Sequence, residues 1–569
     1  MSEPRIVIIG TGPTGLGAGY RLKELGYTNF VLYERNPYIG GLSHSFVDSK
    51  GFTWDIGGHV MFSHYTYYDQ CFEKLMGKEF TLNNRESWVR MFDTWVPYPF
   101  QNNVRYLPKQ AAFECIAGLV KAQGGKGKVA SAAAARNFGE FIDAVFGEGI
   151  AKHFMRPYNY KVWAYEPERM NKHWIGERVA VIDVERALKN VILGTDDFGW
   201  GPNNQFKFPM KGGTGEFYRR FGPELGMVRG SDGDPLSDRE GPHSFIKLNK
   251  QVKSIDVDAK VVAFTDGTTD RYDVLISTMP LDVLCGRVIE TKRRRDGETE
   301  WKDVAAAAGR LLHSSGYMVG IGLKSRTPGG GTPDTKSWMY FPEANCPFYR
   351  VTYLSNYSPF MTPDKDNYYS LLCEVSESDA KKTPGQFGKN PGAVIEDCIR
   401  GLENAGLLNP GERENIVSRW CYYADYSYPT PSVERDDILS EVIPWLEARG
   451  VYSRGRFGMW KYEVANTDHS LMQGVELVNR LLLGEAETTI GMVYKVTEDG
   501  RNAASHERPG HAGSGEKRLA ASRPIADEGP VIEVKPEPAV KSIHPEHVGD
   551  IDAGEISGDE LAVGEASKG

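Results

Sequence analysis

An α/β fold, with a parallel sheet flanked by helices, is predicted by three observations at the start of this 569-residue chain. A β-branched run, Arg5-Ile6-Val7-Ile8-Ile9, leads directly into Gly10-x-Gly12-x-x-Gly15. A helical segment follows, opened by Pro13 and Thr14. A second apolar strand, Phe30-Val31-Leu32-Tyr33, then delivers an acid, Glu34. In such a unit the first glycine permits a tight turn, the second lets backbone N–H groups approach a pyrophosphate, and the third allows close strand–helix contact. The phosphates then sit at the positive end of the helix dipole, and the acid accepts hydrogen bonds from a ribose diol. Together these features predict a dinucleotide site contacted by Gly10, Gly12, Pro13, Thr14, Gly15 and Glu34.

Length corresponds to about three or four domain-sized units. With 40% hydrophobic and 25% charged residues, the composition is that of an ordinary globular protein. A net charge of −9 argues against general nucleic-acid binding, which needs a basic face. The seven cysteines are scattered and never form CxxC, which suits a reducing compartment and gives no metal-site spacing. No basic segment followed by an apolar core opens the chain, and no run of 18 apolar residues occurs. The expectation is a cytoplasmic protein without membrane insertion.

From about Pro108 to Leu188 the chain is rich in Ala, Lys and Glu at helical spacing, so helices are expected. From about Leu311 to Asp425, runs such as Tyr317–Gly322, Trp338–Phe341, Tyr349–Tyr353 and Tyr369–Cys373 predict an antiparallel sheet. Between these regions, Ile246–Thr278 reads as a strand meander with an Asp266-Gly267 turn. The charged stretch Lys292–Lys302 reads as a solvated surface segment. Residues 495–569 contain no Phe, Trp or Tyr and cannot bury enough apolar surface to offset ordering entropy, so a disordered tail is expected. Its histidines, His506, His511, His544 and His547, are too loosely spaced for a metal site.

Beyond Glu34 the sequence Arg35-Asn36-Pro37-Tyr38-Ile39-Gly40-Gly41-Leu42-Ser43 resembles the N-terminal signature of FAD-binding, amine-oxidase-like proteins. Gly51–His59, which ends in Gly57-Gly58-His59, fits the same group, where such a turn approaches the flavin ring. The resemblance points to FAD rather than NAD. It adds Arg35, Gly41, Leu42, Ser43, Gly58, His59 and Val252 to the cofactor contacts, and it lets the 246–278 meander complete the FAD domain.

Aromatic-rich segments with isolated arginines and amides recur along the chain. They are Trp95–Asn103, Phe154–Ala164, Trp174–Arg178, Trp338–Glu343, Asn345–Arg350, Ser427–Pro431 and Ser453–Ser470. With Gly57-Gly58-His59-Val60, they resemble the eukaryotic UDP-galactopyranose mutases over about residues 4–490. The implied architecture is a Rossmann-type FAD-binding domain with an inserted helical domain, an antiparallel β-sheet domain and the tail. The FAD domain is expected from 1–104, 206–290 and 450–494, the helical domain from 105–205, the sheet domain from 291–449 and the tail from 495–569.

A nucleotide sugar needs three kinds of recognition. Uracil needs a flat π surface, which Tyr158 and Phe100 can supply, and an amide for its edge, which Gln101 can supply; Phe154 is a further expected substrate contact. A diphosphate needs planar bidentate donors. Arg178 and Arg350 match the family's two diphosphate arginines, with Tyr428 and Tyr462 adding hydroxyl donors. Asn159, Trp163, Asn203 and Trp338 match positions around the sugar, and Tyr98 and Tyr340 complete the wall. Arg456, Asn466 and Ser470 match positions around the flavin and pyrophosphate, and Arg85 falls where the family has a loop arginine.

These segments contain no nucleophilic triad, carboxylate pair or metal cluster, which suits chemistry carried by a cofactor. The resemblance implies interconversion of UDP-galactopyranose and UDP-galactofuranose. The reduced flavin's N5 is the nucleophile at the anomeric carbon, and no net redox occurs. His59, Arg178 and Arg350 are then the residues closest to the chemistry. The resemblance also implies reduction by NADPH; without a second Gly-x-Gly-x-x-Gly after a strand, NADPH would share the nucleotide-sugar cleft. Two other readings share the N-terminal fingerprint: an FAD-dependent oxidase or desaturase of the amine-oxidase superfamily, and a non-enzymatic binding protein like the dissociation inhibitors. The oligomeric state is left open.

Overall fold

The computed structural model describes residues 3–124, 132–175, 183–197, 205–231, 234–291, 299–496 and 502–506. Its organising element is a five-stranded parallel sheet in the order Ile246–Lys247, Phe30–Tyr33, Ile6–Ile9, Val274–Ser277, Val451–Ser453. Every residue of Ile6–Ile9 is buried, as a strand covered on both faces requires. Ile6 and Ile8 enter one core and Val7 and Ile9 another, following the two-residue period of a strand. The first core contains the dinucleotide helix Pro13–Glu24 and the long C-terminal helix Thr467–Leu483. These helices touch backbone to backbone: a Cβ on Gly17 would meet the Leu471 carbonyl at 2.5 Å, and one on Gly474 would meet that of Thr14 at 2.0 Å.

A seven-stranded sheet forms the second layer. Its order is Ile416–Pro429, His313–Lys324, Tyr368–Glu377, Arg350–Tyr353, Trp338–Tyr340, Ser87–Met91, Thr94–Pro97. All its pairings are antiparallel except Trp338–Tyr340 with Ser87–Met91, which is parallel. The hairpin Ser87–Pro97, inside the 1–104 stretch, therefore belongs by hydrogen bonding to this sheet and not to the FAD unit. The insertion supplies helices Lys109–Gln123, Phe138–Ile150, Arg156–Trp163 and Val184–Leu193. An Asn137 cap starts the second, where the Asn137 side chain accepts from Glu140 N.

Three other expectations are modified. Only the ends of the 246–278 meander join the parallel sheet; Val252–Asp256, Val261–Phe264 and Thr269–Arg271 form a separate sheet with Ile289–Glu290. Within the stretch read as solvated surface, residues 292–298 lie outside the described residues, and Trp301 opens a helix and packs on Trp445 with ring centroids 4.4 Å apart. An indole of that size is better placed against another ring than in water. Residues 495, 496 and 502–506 of the expected tail belong to an antiparallel hairpin, Met492–Val496 with Asn502–His506, paired along a backbone ladder. Residues 507–569 lie outside the described residues. All seven cysteines are buried and free, and no described helix is long and apolar enough to cross a membrane.

Candidate active site

The glycine motif is built as its spacing requires. Gly10 has φ +97°, and a Cβ there would strike Thr278 Oγ1 at 2.1 Å. A Cβ on Gly15 would strike the Gly10 carbonyl at 2.0 Å, whereas nothing lies within 4 Å of the position a Gly12 Cβ would take. The turn is thus closed on its inner side and open at Gly12, where the N-terminus of helix Pro13–Glu24 begins. Gly41 has φ +54°, and a Cβ there would meet Gly12 Cα at 3.1 Å, so the Gly41–Ser43 turn walls the same opening. Pro13 occupies the first helical turn, and Thr14 Oγ1 donates to the Ser470 carbonyl at 2.7 Å. Glu34 is buried at the end of its strand; its carboxylate accepts from Thr11 N at 2.9 Å, Thr11 Oγ1 at 2.8 Å and Asn36 N at 2.9 Å. A carboxylate accepts about four hydrogen bonds, so capacity remains for a ribose hydroxyl. Leu42 and Val252 flank the core that backs this turn, and Arg35 is exposed beside it. The cradle fits a dinucleotide: a closed glycine turn, a free helix N-terminus and a carboxylate at the second strand.

The Gly57-Gly58-His59 turn follows strand Thr53–Asp55. Gly57 has φ +104°, and a Cβ on Gly58 would meet Thr352 Oγ1 at 2.7 Å, so this path needs glycine at both positions. Gly58 N donates to Glu374 Oε1 at 3.0 Å. The same carboxylate pairs with Arg350 through Nε–Oε1 at 2.6 Å and Nη2–Oε2 at 2.7 Å, and accepts from Tyr349 Oη at 2.8 Å. Burial alone would raise the Glu374 carboxyl, but the Arg350 guanidinium and the two further donors hold it below the usual carboxylate range. His59 behaves oppositely. Burial pushes its imidazole down to about 4; Arg456 and Arg350 add to this and Glu374 opposes it, so it is neutral at physiological pH.

Aromatic rings line the other side of Arg350. Phe100, Phe154 and Tyr158 form a stack, with centroids 4.5 Å apart at 22° and then 5.2 Å apart at 6°. Phe100 is fully buried, so the accessible face of the stack belongs to Tyr158, and Phe100 supports it from behind. Gln101 and Asn159 are buried next to this stack, and Asn159 Nδ2 donates to the Met155 carbonyl at 2.7 Å. Tyr340 meets Tyr158 at 5.4 Å and Tyr98 at 5.0 Å, and accepts from Trp338 Nε1 at 2.7 Å. Trp163 packs edge-on against Tyr462 at 4.7 Å and Tyr428 at 5.7 Å. Arg456 closes this corner over Tyr428 at 4.9 Å while donating to the carbonyls of Ser427 and Ala465. Asn466 occupies the N-cap position of the C-terminal helix, and Ser470 lies buried one turn in. Arg85 stacks over Trp338 at 4.8 Å. Arg178 and Asn203 lie outside the described residues.

Two members of this constellation, Glu374 and Tyr349, were not among the residues singled out from sequence. Glu374 sits in the run Leu371-Leu372-Cys373-Glu374-Val375, whose neighbours are all buried. An acid inside a continuous apolar run is the signal that marks it.

The chain belongs to the flavin-containing amine oxidoreductase family, which it matches over residues 13–505. Two matches show how far that likeness reaches: an Arabidopsis thaliana protoporphyrinogen oxidase 2 is 24% identical over 37% of this chain, and the match spans 41% of that protein's length. A redesigned putrescine oxidase shares the fold with 12% identity and a TM-score of 0.52, covering 84% of this chain and 98% of that one. The crystal structure of a reduced UDP-galactopyranose mutase is far more similar: 44% identity, a TM-score of 0.76, and coverage of 86% of this chain and 97% of that one. Within the larger family the chain falls among the UDP-galactopyranose mutases.

Proposed function

We propose that this protein is a flavin-dependent isomerase that interconverts UDP-galactopyranose and UDP-galactofuranose. The observation that carries the reading is the meeting, in one cleft, of Arg350, a tyrosine-lined wall and the His59 turn. The 44% identity to a UDP-galactopyranose mutase over most of both chains supports it. When bound and reduced, the flavin supplies the nucleophile, N5, for the anomeric carbon, and the reaction ends with no net redox.

The protein's residues account for the remaining tasks. Tyr158 presents a flat face for uracil, with Gln101 for its edge. Arg350, already committed to Glu374 through Nε and Nη2, offers Nη1 to the diphosphate, with Tyr428 and Tyr462 as neutral donors beside it. Holding UDP at this place keeps the leaving group at hand for reattachment, which is the entropic benefit of a closed site. Trp338, Tyr98 and Tyr340 surround the sugar with rings, with the buried Trp163 supporting Tyr428 and Tyr462 from behind, and keep bulk water away while allowing the sugar to change ring size. A neutral His59 can accept or donate one hydrogen bond beside the flavin without adding charge. FAD occupies the glycine cradle, and NADPH, entering the cleft that takes UDP, provides the reducing equivalents.

The test is chromatography of UDP-galactofuranose incubated with the purified protein. Dithionite- or NADPH-reduced protein should yield UDP-galactopyranose, and oxidised protein should not. Absence of product with fully bleached flavin rejects the reading.

A further inference from the structure

Beyond the cleft, the fold brings together three side chains that no spacing in the sequence announces. His64 lies five residues past His59, and its partner Asp468 is 404 residues away. His64 donates to Asp468 Oδ2 from its backbone N at 3.1 Å, and its Nδ1 lies 2.7 Å from the same oxygen. The other carboxylate oxygen, Oδ1, is 3.2 Å from His469 Nδ1. The two imidazole rings stand 4.8 Å apart at 39°, and one ligand atom from each residue falls within 4.8 Å of the others.

We propose that His64, Asp468 and His469 form a binding site for a first-row divalent cation of the Zn²⁺ type, joining the His59 loop to the C-terminal helix. Two imidazoles and one carboxylate suit Zn²⁺ and its neighbours; Mg²⁺ and Ca²⁺ take oxygen ligands. Tetrahedral Zn²⁺, with bonds of about 2.0–2.2 Å, places its ligand atoms roughly 3.2–3.5 Å apart, so the two contacts to Asp468, at 2.7 and 3.2 Å, are already near that spacing and the widest separation, within 4.8 Å, needs to close by at most about 1.6 Å. Asp468 and His469 are buried in the first turn of a helix packed against the dinucleotide helix, so two ligands are fixed. His64 is the adjustable one, with a side chain 42% exposed that gives the ion its path of entry. Asp468 supplies the compensating charge, and a fourth position remains for water. Ion binding would tether the loop carrying His59 to the helix carrying Asn466 and Ser470.

Isothermal titration of Zn²⁺ alone into the tag-free, FAD-loaded full chain, first stripped with chelator, tests this without reference to sugar chemistry. One saturable site with a Kd of about 10 μM or tighter is expected, weakened at least about tenfold in His64→Ala and in Asp468→Asn. His153→Ala, at a histidine paired with Glu114 elsewhere, should bind as wild type does. If Asp468→Asn loses FAD or folds poorly, His64→Ala and His64→Gln decide, because His64 is the exposed member. No saturable binding in wild type, or wild-type binding in the His64 variants, overturns the proposal.

Discussion

Arg350 and Glu374 face each other across adjacent antiparallel strands and form a two-pronged ion pair, with Nε–Oε1 at 2.6 Å and Nη2–Oε2 at 2.7 Å. Direct cross-strand register puts both side chains on one face of the sheet. Glu374 is 1% exposed in its side chain and Arg350 21%, so the carboxylate is buried and the guanidinium reaches the cleft. Because Gly58 N–H also donates to Glu374, one carboxylate connects Arg350 to the turn that carries His59.

Replacing Glu374 by Gln should leave the Arg350 guanidinium without its buried counter-ion, a change that costs up to about 3–5 kcal/mol when a buried pair is broken. The melting temperature should fall. Turnover should drop at least about tenfold, corresponding to about 1.4 kcal/mol at the transition state. UDP affinity should be kept or increased, because the diphosphate becomes the principal partner of Arg350. Calorimetric UDP binding that weakens in step with turnover would show that Glu374 orients Arg350 for UDP and does not compete with it.

Arg350→Ala should weaken UDP binding by about 2–5 kcal/mol, roughly thirty- to several-thousand-fold, while FAD absorbance is retained. Arg350→Lys should recover little of this, since an ammonium cannot make the two-pronged contact with Glu374. UDP titrations followed by protein fluorescence measure both.

Burial separates the roles of two rings in one stack. Tyr158→Ala should cost about 1–3 kcal/mol of UDP affinity, the value of one base stacked on an aromatic ring, and Tyr158→Phe should cost much less. Phe100→Ala, at a fully buried position, should instead destabilise the fold by about 3–5 kcal/mol. Paired melting and UDP-binding measurements would contradict this assignment if Phe100→Ala lost affinity with no loss of stability.

His59, held at about 4 by burial, gives a stability signature with a definite sign. Its folded pKa lies below the unfolded value of about 6.5, so the unfolded chain takes up a proton that the folded one refuses. Stability is therefore lost as pH falls through about 6.5 toward 4. His59→Gln removes that loss, so its melting temperature relative to wild type should rise between pH 7.5 and 5. Parallel curves across that window would mean His59 titrates normally. At neutral pH the same variant should lose more kcat than KM.

Much of the fold is legible in the sequence. The glycine motif predicted its own turn because Gly10 and Gly15 each answer a local steric demand, and several of the aromatic segments meet one another in the fold. What stayed hidden depended on distant partners. Glu374 matters only because a strand 24 residues away sets Arg350 opposite it, and the Ser87–Pro97 hairpin joins the second sheet through a parallel pairing with Trp338–Tyr340. Phe100 was a plausible uracil platform from its neighbours in sequence, but its burial follows from helix packing that spacing does not encode.

The central claim is that the reduced flavin is used repeatedly as a nucleophile and is not spent as an electron donor. Anaerobic enzyme reduced once, then freed of excess reductant and given a hundredfold excess of UDP-galactofuranose, tests it directly. The account predicts conversion of many equivalents to the equilibrium mixture while absorbance near 450 nm stays bleached. Conversion that stops near one equivalent per flavin, with the oxidised spectrum returning, would contradict it.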